Sequence, residues 1–360
     1  MQDYQDIGYR ILARVVSENL WKRNNDKGEK LFETNERITN KERVVQIADE
    51  ELRKVESEIK FDIPSYDELN KIAHRAVENF INYCLEIDLL NKDVINLTSK
   101  LTVPSDIEIV EMKFKGGLNI DMRYDKSTFP KQNEERPKLL INESIVQGRM
   151  FKFSKLGESL DVEGLLELAV GSVAIHEWSH SIESAMAIRF IEIGKNSKDY
   201  DEKEDYFKVD NGGHALIFNF AKNITQSGFE NFQDYRDWNL FGMHLERFAT
   251  GFEMIGFESL GAKNVQEKIL KQRKTKLEEF KKLRQELNII DFDLTYLAMD
   301  VKTVIKEAGL ESYDIPSFWQ DLGYLLPYEY KELKEMVELS YKYLLDETQI
   351  LEDLFGYKKI

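Results

Sequence analysis

The chain has 360 residues, 42% of them hydrophobic and 11% aromatic, which places it among folded globular proteins rather than disordered ones. Its net charge of −16 disfavours nucleic-acid binding, because phosphate repels an acidic surface. A single cysteine, Cys84, excludes both an internal disulfide and a cysteine-built zinc cluster.

No apolar stretch approaches the length of a membrane span, so no membrane association is expected. The opening MQDYQDIGYR has no basic segment followed by an apolar run, and a cytoplasmic location is the expectation, with leaderless release as the other route.

The first hundred residues read as helices. Ile7, Ile11, Leu12, Val15, Val16 and Leu20 recur at helical spacing. A second helix is expected to open on a capping box formed by Thr39 and Glu42, and a third on Ser65 and Glu68 after Pro64. His74 lies inside this third helix, far from other ligand types in sequence, and reads as an ordinary structural or surface histidine. After Pro104 the pattern alternates. Ile107 to Phe114, a Lys115-Gly116-Gly117 turn and Leu118 to Tyr124 predict a hairpin, and Leu139 to Ile141 a third short strand.

From about Asp161 the chain reads as helical to its end. The basic stretch from Lys268 to Arg284, which includes Arg273, reads as the solvated face of one helix. The expected class is α+β, predominantly helical, with a small antiparallel sheet. Three regions follow: helical 1–104, a core at 105–260 and helical 261–360.

The chemistry concentrates in residues 165–190, LLELAVGSVAIHEWSHSIESAMAIRF. His176-Glu177-Trp178-Ser179-His180 fits H-E-x-x-H, which puts both imidazoles on one helical face within reach of one metal ion. Glu177, beside the first ligand, can reach water on the metal without ligating it. With five histidines in the chain, such a match arises by chance on the order of once in a hundred sequences. Two neutral imidazoles plus a carboxylate suit zinc, with a fourth position left to water.

The third ligand is sought in residues 239–260, NLFGMHLERFATGFEMIGFESL. Glu246 is the first choice. Ala249, Thr250 and Gly251 would let its helix approach the histidine helix closely, and Glu253, two turns on, could orient a histidine instead. His214 and His244 are the rival ligands.

HEWSH followed by ERFATGFE resembles zincins with a glutamate third ligand, closest to the anthrax lethal-factor-like peptidases and the zincin-like domains of phage and mobile-element proteins. The resemblance spans roughly residues 105–260 and matches Glu246, Phe248, Ala249 and Phe252 of the second motif. It implies a zincin-like core in which a small sheet precedes the histidine helix, with one zinc held by His176, His180 and Glu246. The chain departs from that pattern at Ser179, where glycine is frequent, and in the acidic insertion Asp199 to Asp210. It departs also at Asn239, where the family places an oxyanion-stabilising tyrosine, with Tyr235 one turn further back.

The resemblance implies a zinc endopeptidase acting on a protein or peptide, with Glu177 as general base. Tyr235, His244 and His214, in that order, are the expected oxyanion stabilisers. The edge at Leu139 to Asn142 is the expected seat for substrate added as a strand. The alternative is a zincin-like metal-binding protein of little or no turnover, serving as a binding, regulatory or phage structural module.

Overall fold

The computed structural model describes residues 4–22, 37–56, 61–110, 138–156, 160–196, 238–286, 297, 300–305, 307–308 and 326–355. Helices begin where a side chain satisfies the exposed N–H groups of the first turn. Helix α1 is Tyr4–Ser17 and α2 is Lys41–Glu56. The cap of α2 is Asn40, whose Oδ1 accepts from the Arg43 N–H at 2.9 Å; Thr39, the residue expected to cap, turns its hydroxyl to the Asn19 carbonyl. Helix α3, Tyr66–Glu86, opens as expected, with the Glu68 carboxylate accepting from the Ser65 N–H at 3.3 Å. Helix α4, Lys92–Ser99, is capped by Asn91.

Strands β1, Ile107–Val110, and β2, Leu139–Asn142, pair in parallel, with Ile107 opposite Leu139 and Val110 opposite Asn142. The expected antiparallel sheet is therefore corrected. Alternation with a period of two is identical in both pairing directions, so the pattern that located the strands carried no information about their sense. The expected hairpin partner at 118–124 lies outside the described residues.

The outer edge of β1 is closed by α3. Asn70 Oδ1 accepts from the Ile109 N–H at 2.6 Å, and His74 Nε2–H donates to the Ile107 carbonyl at 2.8 Å. Of the two roles its sequence position left open, structural or surface, His74 takes the structural one.

Helix α5, Glu143–Ser154, follows β2 directly, and α6, Val162–Lys195, is the centre of the molecule. Its 34 residues span about 50 Å at the standard helical rise. Asp161 caps it by accepting from the Gly164 N–H at 2.8 Å. Leu165, Ala169, Val170, Val173, Ile175, Trp178 and Ile182 are all buried, and they lie around the whole circumference rather than on one stripe. Such a helix must be enclosed, and α3, α4, α5 and α7 (Trp238–Ser259) enclose it. Helix α8 is Lys263–Glu286; α9, Tyr330–Leu344, and α10, Glu347–Phe355, also rest on α6.

One continuous apolar core runs from Leu69 to Ile350 through all these elements. The buried residues of α1 and α2, such as Val15, Val44 and Ile47, lie outside that core, as do Val301 and Ile305. Among the described residues, no helix is long and apolar enough to cross a membrane.

Candidate metal centre

Helices α6 and α7 approach closely because glycine stands where they touch. A Cβ on Gly256 would lie 2.9 Å from side-chain carbons of Ile175, nearer than real Cβ contacts come. Gly251, expected to serve this purpose, serves another: its missing Cβ makes room for the backbone of Tyr328, which arrives from the C-terminal region. Phe80 of α3 then braces both helices, edge-on to Trp178 and to Phe252 with ring centroids 6.1 Å away in each case.

This packing brings the first motif and the second together. His176 Nε2 lies 3.2 Å from Glu246 Oε2, and His180 Nε2 lies 3.8 Å from the same oxygen. One ligand atom from each of the three residues falls within 4.8 Å of the others, a convergence suited to a single ion. His176 is 2% exposed and Glu177 4%, while His180 and Glu246 are half-buried and open the cluster on one side. The donor set, two imidazole nitrogens and a carboxylate oxygen, fits zinc chemistry.

Ser179, where the resembled family often has glycine, needs no partner from elsewhere. Its hydroxyl donates to the Ile175 carbonyl of its own helix at 2.7 Å.

Behind His176 lies a second layer. His176 Nδ1–H donates to Glu253 Oε2 at 3.1 Å, the orienting role that sequence spacing offered for Glu253. Glu253 is 1% exposed and is held in turn by Arg149 of α5, whose Nη1 donates to Oε1 and whose Nη2 donates to Oε2 at 3.3 Å. The same Nη1 donates to Ser172 Oγ at 3.2 Å, and Arg273 of α8 stands 3.9 Å from Glu253 Oε1.

The electrostatics follow from this layering. Burial opposes charge on His176, yet the carboxylates of Glu246 and Glu253 hold its pKa up to about 10 in the metal-free protein. Zinc would replace that proton on Nε2, so binding releases protons and weakens in acid. Burial raises the pKa of Glu177, partly offset by the two imidazoles. Burial would raise Glu253 as well, but Arg149, His176 and Arg273 hold it far below the ordinary carboxylate range.

The other candidates fall elsewhere. His244 does not join the ligand cluster; its Nδ1 is hydrogen-bonded to the Tyr328 hydroxyl. Burial and the neighbouring Arg247 guanidinium push its pKa down to about 3, which keeps the ring neutral. Arg247 itself lies over the Tyr328 ring at 4.0 Å. Tyr235, His214 and the acidic insertion at 199–210 lie outside the described residues.

Two residues escaped the sequence reading. Arg149 sits on α5, in a stretch between Ile141 and Asp161 to which the sequence reading assigned no element. Its apolar signal was present in Val146, Met150 and Phe153. Arg273 belonged to a stretch read as solvated, and that reading is corrected here: Lys271 and Lys274 are exposed but Arg273 is buried. The missed signal was its register, since Val265, Ile269 and Arg273 recur every four residues and so share the buried stripe. Compared with family models, with curated proteins and with solved structures, the chain matches none.

Proposed function

We propose that the chain is a zinc-dependent endopeptidase of the zincin type, hydrolysing a protein or peptide substrate. The observation that carries this reading is the convergence of His176, His180 and Glu246 beside a buried Glu177. A metal held only for structure has no use for a carboxylate next to its first ligand, and burying one costs free energy.

Zinc bound by these three residues would polarise the scissile carbonyl and make the bound water acidic. Glu177 takes the proton from that water and returns it to the leaving amine, a task its raised pKa suits. Glu253, which accepts His176 Nδ1–H, keeps that ring from turning. The half-buried side, at His180 and Glu246, is where substrate enters.

Strand addition remains the preferred substrate mode, with one amendment drawn from register. The outward groups of β1, at Ile107 and Ile109, are taken by α3, so its inward groups are at Glu108 and Val110. In a parallel ladder Leu139 and Ile141 of β2 then face β1, and the Leu140 backbone faces outward. Leu140→Pro should therefore weaken peptide binding and leave zinc in place, whereas proline at Ile141 would break the ladder itself. Unchanged turnover of a peptide by the Leu140 variant would remove this mode.

The second reading, a metal-binding module of weak turnover, is favoured by the engagement of His244, one of the expected oxyanion stabilisers, with the Tyr328 hydroxyl. Two measurements separate the readings. Metal content of the purified chain should be about one zinc, and the wild type but not Glu177→Gln should cleave an unfolded protein substrate. Stoichiometric zinc without any cleavage would select the binding module. A folded chain that cannot hold zinc would remove both.

A further inference from the structure

A histidine can give one ring nitrogen to a metal only if the other carries the proton and has somewhere to donate it. For His176 that acceptor is Glu253, and the carboxylate is itself held by a residue from a different helix. Arg149 spans both carboxylate oxygens with its two terminal nitrogens and spends a further N–H on Ser172 Oγ. Ser172 lies one turn before His176 on α6 and is wholly buried. The guanidinium is thereby fixed to the helix whose imidazole it helps to orient. A fork of this kind sets the plane of a carboxylate as well as its position, which a lysine cannot do.

We propose that Arg149 is a positioning residue for the metal: acting through Glu253, it locks the His176 ring with Nδ1–H donated and Nε2 directed at the ion, and so sets metal affinity. This rests on the metal-site reading given above. It extends the site to α5, which continues directly from the strand proposed to seat the substrate.

The test compares zinc affinity, measured by competition with a chromophoric chelator, for the full-length wild type, Arg149→Met, Glu253→Gln and the double variant. The visible spectrum of the Co2+-loaded forms reports ligand geometry directly. Arg149→Met should weaken zinc about 10–100-fold and shift the Co2+ bands. The double variant should bind about as weakly as Glu253→Gln alone, because the proposal routes the effect of Arg149 on the metal through that carboxylate. Arg149→Lys, which keeps the cation and loses the fork, should fall between wild type and Arg149→Met; it carries the test if Arg149→Met does not fold.

Wild-type zinc affinity and an unshifted Co2+ spectrum in folded Arg149→Met or Arg149→Lys would overturn the proposal and leave the metal site standing. Additive losses in the double variant would overturn the route through Glu253. A folded wild type that binds neither ion would remove the metal site and this proposal with it.

Discussion

Two arginine–carboxylate pairs among the described residues, Arg37 with Asp300 and Arg149 with Glu253, differ in what their carboxylate meets next. In the N-terminal region Arg37 donates to both oxygens of Asp300, at 2.8 and 2.9 Å, and Trp21 Nε1 fills the remaining demand at 2.8 Å. The three side chains tie the α1–α2 region to residues 300–305. In the core, Arg149 grips Glu253 in the same forked manner, but one carboxylate oxygen also receives His176 Nδ1–H. The first pair is closed on an indole that does nothing more. The second is open to an imidazole whose other nitrogen meets Glu246. A buried charge pair is therefore no sign of function in itself. What sets the second pair apart is a titratable ring between it and a second carboxylate.

Turnover should give the largest separation of the two regions. Glu177→Gln should lower peptide hydrolysis by about 10²–10⁴-fold while zinc stays bound, since it removes proton transfer and leaves the ligands. Asp300→Asn should leave the activity per folded molecule unchanged. Parallel losses in both would mean that the assay reads folding rather than chemistry.

Stability gives the next contrast. Removing one partner of a buried pair leaves the other charge uncompensated, at about 3–5 kcal/mol. Asp300→Ala and Glu253→Ala should both destabilise on that scale by chemical denaturation, but only Glu253→Ala should also weaken zinc. If Asp300→Ala weakens zinc to the same degree, the two regions are coupled and the distinction between them fails.

How much of this the sequence disclosed depends on the range of the signal. Histidines four residues apart, a glutamate beside the first and the ERFATGFE helix are local patterns, and the structure brings His176, His180 and Glu246 to one point. The capping of α3 by Glu68 and the role of His74 were local as well. The sense of the sheet was not, because pairing direction depends on how the chain returns rather than on side-chain alternation. Arg149 and Asp300 were illegible for a related reason. Each is defined by a partner 104 or 263 residues away, and no spacing rule reaches that far. Arg273 was the legible residue that was misread, since its place on the apolar stripe of α8 outweighs its charge.

The contact of α7 with α6 offers a gentler probe. Gly256→Ala would put a methyl against Ile175, and overpacking of this kind costs about 1–3 kcal/mol. Because Glu246 and Glu253 ride on the same helix, the variant should weaken zinc in step with its loss of stability. Arg37→Lys in the other region should cost stability with no such correlation. Zinc binding unchanged in a destabilised Gly256→Ala would show that the ligand geometry does not depend on this close approach.

The smallest effect is in pH, and its sign distinguishes the two glutamates of the site in chelator-treated protein. Glu253 has a folded pKa below its ordinary 4.5, so its contribution is complete above that value and is lost as pH falls beneath it. Glu177 has a folded pKa above 4.5 because burial disfavours its charge. Above 4.5 the unfolded chain releases this proton and the folded chain keeps it, so Glu177 makes the fold progressively less stable as pH rises towards its raised value. Glu177→Gln removes that penalty. Its melting temperature relative to wild type should be flat in acid and climb with pH, whereas Glu253→Gln should fall furthest behind wild type at neutral pH and approach it in acid. Two curves of the same slope would mean that both carboxylates sit in equivalent surroundings, and the layered arrangement of the site would then be wrong.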